Sequence, residues 1–197
     1  MSDKRFRGKT GSHALRKTLL GIVYELVSKD GIEGTGVRAI AEAANVSTGT
    51  INYHFLNKQN LLIEAFEAAY RLPDDWESYE GSPIAQLGRL MGGYVFRTSS
   101  DRFWRFWINY TARSTRDEDM RRRQAERFER QRSFWAKLIA DGIEQGIFRP
   151  DLDSEMEAER LLLIAHGLIV RQILSPDPTT RDLARRILDK EINALCG

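Results

Sequence analysis

One cysteine, five prolines and three histidines in 197 residues leave several chemistries without material. The lone Cys196 stands beside the last residue, so no internal disulfide can form, as expected of a chain kept in a reducing compartment. His13, His54 and His166 fall in different segments, no two histidines share a helical turn, and Cys and His never cluster; no metal site is expected. A Gly-rich phosphate loop and a nucleophile elbow are also missing, so neither an enzyme nor a cofactor is expected. No apolar run approaches the roughly 20 residues of a membrane span, and the N-terminus is polar and basic without an apolar leader core. A cytoplasmic protein with no membrane partner is the expectation.

What is present is ordinary in bulk, 42% hydrophobic and 29% charged, enough to bury a sizeable core. The net charge of +2 becomes informative when divided. Residues 1–60 hold nine Lys and Arg against five Asp and Glu, and the remainder holds 21 against 23. The positive charge therefore lies in the first third, where a polyanion would find it. Its densest part is residues 1–11, with Lys4, Arg5, Arg7 and Lys9 among glycines, expected to be a disordered arm, free or laid along DNA.

The most structured signal in that third runs from Thr35 to Ala65. Val37, Ile40, Ala41 and Ala44 recur at i, i+3, i+4 and i+7, one face of a short helix. Asn45 tolerates the left-handed backbone of a tight turn, Val46 fills the corner, and Ser47 can cap a second helix over Thr48–Phe55. That helix has only Ile51 and Phe55 as large apolar anchors. Gly49, Thr50 and Tyr53 project the other way with Asn52 and His54 on the flanks. The outward set is small, uncharged and rich in hydrogen-bonding groups, which suits close approach to a duplex better than a solvated surface, where Lys and Glu would be expected. Helix, tight turn and helix at this spacing is a DNA-reading helix-turn-helix.

With Thr35, the Arg38-Ala39-Ile40-Ala41 run, Ala44, Val46-Ser47, Tyr53-His54-Phe55, Lys58 and Leu61-Leu62 at these offsets, the stretch resembles the TetR family of bacterial one-component repressors. It departs from the family pattern at Asn45 and Asn52. The resemblance implies a homodimer on a palindromic operator in double-stranded DNA. Thr50, Asn52 and Tyr53 would meet bases or the adjoining backbone from the Gly49 face, and Thr35, Thr48, His54 and Lys58 would hold phosphates.

Before the reader unit, Ser12 is expected to cap a helix whose stripe of Leu15, Leu19, Ile22, Val23, Leu26 and Val27 stops at Asp30-Gly31. After it, Asn57 caps a connecting helix over 58–72 that Pro73 ends. The expected division is a DNA-binding domain over 1–57 and a ligand-binding and dimerisation domain over 58–197. Residues 73–83 read as a loop, and Ser82-Pro83 opens a helix to about Ser99. Asp101 caps the next. Thr115 with Glu118, and Ser154 with Glu157, read as capping boxes, the first opening a helix of about 30 residues, or roughly 45 Å. On that long helix Asp117, Glu118, Asp119 and Glu126 each precede an Arg by four residues, a salt-bridged solvated face rather than a second nucleic-acid patch. The segment 155–174 is apolar around too much of its girth for one partner, so the last two helices are expected to form a four-helix bundle with a second copy, the alternative being a fully internal core helix.

The fold class is therefore all-α, about nine helices in all: a three-helix reader domain and a helical bundle. Aromatic residues concentrate in the bundle's first helices. Tyr94, Trp107, Tyr110, Phe128, Gln131 and Trp135 are the candidate lining of a pocket for a hydrophobic or cationic effector, a role to which the family resemblance also points. The competing reading is a dimeric helical module that binds a partner or ligand without reading DNA.

Overall fold

The computed structural model describes residues 3–70, 80–96 and 101–196, with side chains from residue 12 onward and not at 70. Nine helices and no strand occur among them: α1 (Asp3–Gly34), α2 (Val37–Ala43), α3 (Thr48–Phe55), α4 (Lys58–Tyr70), α5 (Pro83–Gly92), α6 (Arg102–Ser114), α7 (Glu118–Glu144), α8 (Ser154–Leu174) and α9 (Pro178–Asn193). None of the described helices is long and apolar enough to cross a membrane.

Local rules account for most boundaries, with instructive exceptions. α1 is helical from Asp3, so the basic stretch expected to be disordered continues the helix and Ser12 lies inside it. Lys and Arg are good helix formers. The regular part ends at Gly31, whose φ of 75° needs no Cβ to be avoided. α5 stops at Gly92, short of Ser99, because the Gly92-Gly93 pair weakens it; residues 97–100 lie outside the description. At two caps an Asp prevails over the expected hydroxyl. Asp117 accepts from the Met120 amide ahead of α7, while Thr115 donates back to Ala112 O. Asp153 accepts from the amides of Glu155 and Met156 ahead of α8, which leaves Ser154 as the first helical residue. A carboxylate is the stronger acceptor and also meets the positive end of the dipole.

The chain packs as two compact units. The first comprises Met1–Pro73 and Arg102–Met120, the second Asp74–Asp101 and Arg121–Gly197. This differs from a division at residue 57, since α4 and α6 belong with the reader helices. The cause is the aromatic face of α6. Phe106 meets Tyr24 of α1 at 5.3 Å, and Tyr110 stacks on Phe66 of α4 at 3.5 Å with planes 2° apart. The Ser28 hydroxyl donates to Arg102 O at 2.9 Å, and Arg102 pairs with Glu25.

In the second unit α5 and α8 pack on α9. Tyr94, Val95 and Phe96 leave α5 as irregular backbone and need partners for their peptide groups. Gln172 of α8, fully buried, supplies them: Oε1 accepts from Phe96 N at 2.9 Å and Nε2 donates to Tyr94 O at 2.8 Å. α7 is closed off by Gly146 in the left-handed region (φ 69°), and the amides of Ile147 and Phe148 return to Gly142 O. That return lays the Phe148 ring directly over Gly142, where a Cβ would overlap it.

Gly142→Ala should therefore cost about 1 to 3 kcal/mol, the range for overpacking a core, read as a lower urea midpoint with unchanged slope. Adding Phe148→Leu should recover part of the loss. An unshifted midpoint for the single variant would show that the turn has room to yield.

Candidate functional site

The eight residues of α3 are held from behind. Ile51 and Phe55 are buried, and Ser47 Oγ accepts the Thr50 amide at 3.1 Å, the expected cap. Asn45 adopts φ 51°, the left-handed turn its side chain favours. At the far end Arg16 of α1 donates to His54 O, pairs with Glu64 of α4, and lies over the Phe55 ring at 4.5 Å. One guanidinium thus ties three helices at the C-terminus of α3, where the helix dipole favours a cation. Nothing in the local pattern singled Arg16 out, because its partners come from 38 and 48 residues away.

On the outward side the structure brings together Thr48, Gly49, Asn52 and Tyr53, all exposed, with Tyr53 at 83%. Gly49 is informative. A Cβ there would meet Ser47 Oγ at an ordinary 3.5 Å, so the chain's own packing does not demand glycine. Thr50 is half-buried with its hydroxyl 2.9 Å from Ser47 Oγ, and the His54 ring meets the Tyr53 ring edge-on at 5.3 Å.

Two residues expected at phosphates also make internal bonds. Thr35 is buried, its hydroxyl donating to Gly31 O at 2.7 Å. Lys58 Nζ donates to Ile32 O at 2.8 Å. Both close the carbonyls left open where α1 breaks at Gly31, which is why a buried hydroxyl and a half-buried ammonium stand there. Leu56, not anticipated, is 78% exposed at φ 65° immediately after α3.

The expected pocket lining divides between the two units. Trp107 and Tyr110 are core residues of the first, Trp107 edge-on to Trp104 at 5.7 Å and Tyr110 in the stack on Phe66. Tyr94, Phe128, Gln131 and Trp135 come together in the second. Gln131 donates to the Tyr94 hydroxyl, the Tyr94 ring meets Trp135 edge-on at 5.8 Å, and His166 of α8 lies 5.5 Å from Tyr94 and 5.1 Å from Phe128.

Gln124, Arg127, Gln131 and Trp135 recur at i, i+3, i+7 and i+11, a single stripe of α7, and all four are buried. Gln124 is 4% exposed, Gln131 3% and Trp135 0%. Nevertheless Gln124 Nε2 and Oε1, Gln131 Oε1 and Trp135 Nε1 meet no hydrogen-bonding partner among the described residues. Gln172, equally buried in the same unit, is fully bonded. An orphaned buried polar atom costs about 1 to 3 kcal/mol, so four on one stripe stand out. Burial first, and the positive charge of Arg127 second, hold the His166 imidazole down to about 4 and so neutral. Burial raises the Tyr94 phenol above its usual range, opposed by Arg127. No group of three or more His, Cys, Asp or Glu among the described residues could hold a metal ion.

The profile of tetR-family bacterial regulatory proteins matches residues 24–65, and that of the C-terminal region of BetI-type transcriptional repressors matches 83–197. The chain is 25% identical to the transcriptional regulator BetI of Vibrio parahaemolyticus over 93% of this chain and 96% of that one. It is 27% identical to the transcriptional repressor KstR2 of Mycobacterium tuberculosis over 77% of each. Among solved structures, a transcriptional regulator from Saccharomonospora viridis in complex with choline shares the fold. Its TM-score is 0.81 at 24% identity, covering 90% of this chain and 95% of that one.

His166 makes the second unit sensitive to acid. Its folded value of about 4 lies below the ordinary 6.5, so the unfolded chain takes up the proton first, and the stability this group confers is lost as pH falls from about 6.5 toward 4. At pH 5 the loss should be about 2 kcal/mol. Urea midpoints at pH 7 and pH 5, at one protein concentration, should therefore differ more in the native chain than in His166→Gln. Equal differences would remove His166 as the cause.

Proposed function

The chain belongs to the TetR family of bacterial regulatory proteins, DNA-binding transcriptional regulators, and from that premise we propose a repressor that binds a palindromic operator as a homodimer and leaves it when a small molecule enters the second unit. The observation that carries the reading is the outward face of α3. Thr48, Gly49, Asn52 and Tyr53 are exposed and uncharged on a helix braced from three sides, and Gly49 answers to no internal constraint. Asn52 and Tyr53 then reach base edges, with Thr50 beside them, while Thr48 and His54 meet the phosphates. Thr35 and Lys58 act one step removed, by fixing the turn that aims the reader.

The dimer rests on α8. Met156, Leu163, Gly167, Val170 and Leu174 follow one another at seven-, four-, three- and four-residue steps, a single straight stripe, and every one is exposed. Leu183 of α9 is exposed too. A strip of large apolar side chains of this length marks an interface, and the inner stripe of α8 is already buried in its own unit. Paired α8 and α9 helices of two copies would hold two reader helices about 34 to 36 Å apart, or at a longer spacing set by the bundle. The effector would act by favouring one spacing, with coupling of about 1 to 3 kcal/mol. α7 is the natural carrier, because one continuous helix holds Met120 in the first unit and the Gln124–Trp135 stripe in the second.

Tyr53→Ala and Asn52→Ala should each weaken binding to duplexes from upstream of the chain's own coding sequence at least tenfold, by fluorescence anisotropy at about 0.15 M salt, and leave the urea midpoint unchanged. Unchanged affinity would remove α3 as the reader. Leu163→Glu with Leu174→Glu should halve the mass found by sedimentation equilibrium. A persisting dimer would place the interface elsewhere.

A further inference from the structure

The unpartnered atoms on α7 form a hydrogen-bonding pattern with two ends. Gln124 stands at one, with Nε2 a donor and Oε1 an acceptor, both unmet. Gln131 and Trp135 share the other. Gln131 donates to the Tyr94 hydroxyl and the Trp135 ring meets the Tyr94 ring edge-on, so both border Tyr94; there Gln131 Oε1 lacks a donor and Trp135 Nε1 lacks an acceptor. Each end therefore calls for a group that donates and accepts at once. Seven residues of helix separate Gln124 from Gln131 on a single stripe, or about 10 Å.

Between the two ends the neighbours are rings. Phe128 follows Gln124 by one turn, and the neutral imidazole of His166 lies against both Phe128 and Tyr94. None of these unmet atoms belongs to a charged group. Arg127, the one buried charged side chain among the described residues, already has a partner, so no buried ion is left waiting for a counter-ion. A charged group brought here would be desolvated without compensation. It would also bond poorly. A carboxylate only accepts, which leaves both amide oxygens unmet, and a quaternary ammonium has no N–H to give. A hydroxyl or a primary amide meets both demands at either end.

We propose that the effector is an uncharged, elongated molecule with a hydroxyl or amide at each end, about 10 Å apart. One end pairs with the amide of Gln124, the other bridges Gln131 Oε1 and Trp135 Nε1, and the apolar body lies along Phe128. This ligand class rests on the effector-site reading above and narrows it. Binding satisfies atoms that folding leaves unpaired, so occupancy stabilises the folded chain.

The probes are 1,8-octanediol, its one-ended counterpart 1-octanol, and two charged controls, octanoate and choline. Each is followed with the full chain by thermal melting and by titration of tryptophan fluorescence. The diol should raise the melting temperature and bind saturably, about tenfold more tightly than 1-octanol, and neither charged probe should match it. Gln124→Leu removes one end only. It should bring the diol down to the affinity of 1-octanol and leave 1-octanol unchanged, a split that a general loosening of the bundle would not give. That variant sheds a buried amide without a partner, so it should fold at least as stably as the native chain. Trp135→Phe acts on the opposite end and should weaken both alcohols. If 1-octanol binds as tightly as the diol, or octanoate or choline binds more tightly, and Trp135→Phe still weakens the binding, the ligand class is overturned while the effector site stands. If the probes bind and neither variant alters their affinity, the site is overturned too. A folded native chain that binds none of the four overturns both readings.

Discussion

Seven residues of α2 and eight of α3 are too few to hold a helix in water, because nucleation costs more than two turns of hydrogen bonds return. Everything the first unit does depends on borrowing stability for them. α1 lends it in two ways. Leu19, Val23 and Val27 give an apolar floor with no exposed area, and Arg16 ties the end of α3 to α1 and α4. α6 also packs on α1, and the stack of Tyr110 on Phe66 holds α4 in the same body. A reader helix braced in this way can spare its whole outer face for a partner. The exposed Tyr53 and the bare backbone of Gly49 are the visible result.

The second unit is governed by the opposite constraint, the cost of burying polar groups. It meets that constraint fully where backbone is at stake, since Gln172 answers the irregular peptide groups of Tyr94 and Phe96. Among the described residues it leaves it unmet on α7, at Gln124, Gln131 and Trp135. The two sets of buried polar side chains in one bundle differ in whether folding satisfies them. Large rings at helical spacing also fill cores, as Trp107 and Tyr110 do in the first unit. Unsatisfied amides are not needed to fill anything.

How much of this could be read from the sequence follows the range of the interactions involved. The turn at Asn45, the Ser47 cap, the Asn57 cap and the buried pair Ile51 and Phe55 depend on neighbours within a few residues, and the spacing displays them. The caps of α7 and α8 were legible only to within two residues, because an Asp beside a Ser or Thr competes for the same amides. The allegiance of α6 to the first unit was not legible, since nothing local tells an aromatic face which of two cores it will enter. Thr35 and Lys58 show a further limit. A hydroxyl and an ammonium beside a reader helix look like phosphate ligands, and nothing local shows the open carbonyls at the Gly31 break that both also serve. The α7 stripe was half visible: its period is in the sequence, and the absence of partners is a property of packing alone.

The central claim, that a braced, uncharged helix face reads DNA from a two-fold dimer, is tested most directly by selecting bound sequences from a random duplex pool at near-physiological salt, with the mass of the protein in solution measured alongside. Enrichment of a palindrome by a dimer is the predicted result. A well-folded dimer that enriches nothing would contradict the account and leave a helical module that binds a partner other than DNA.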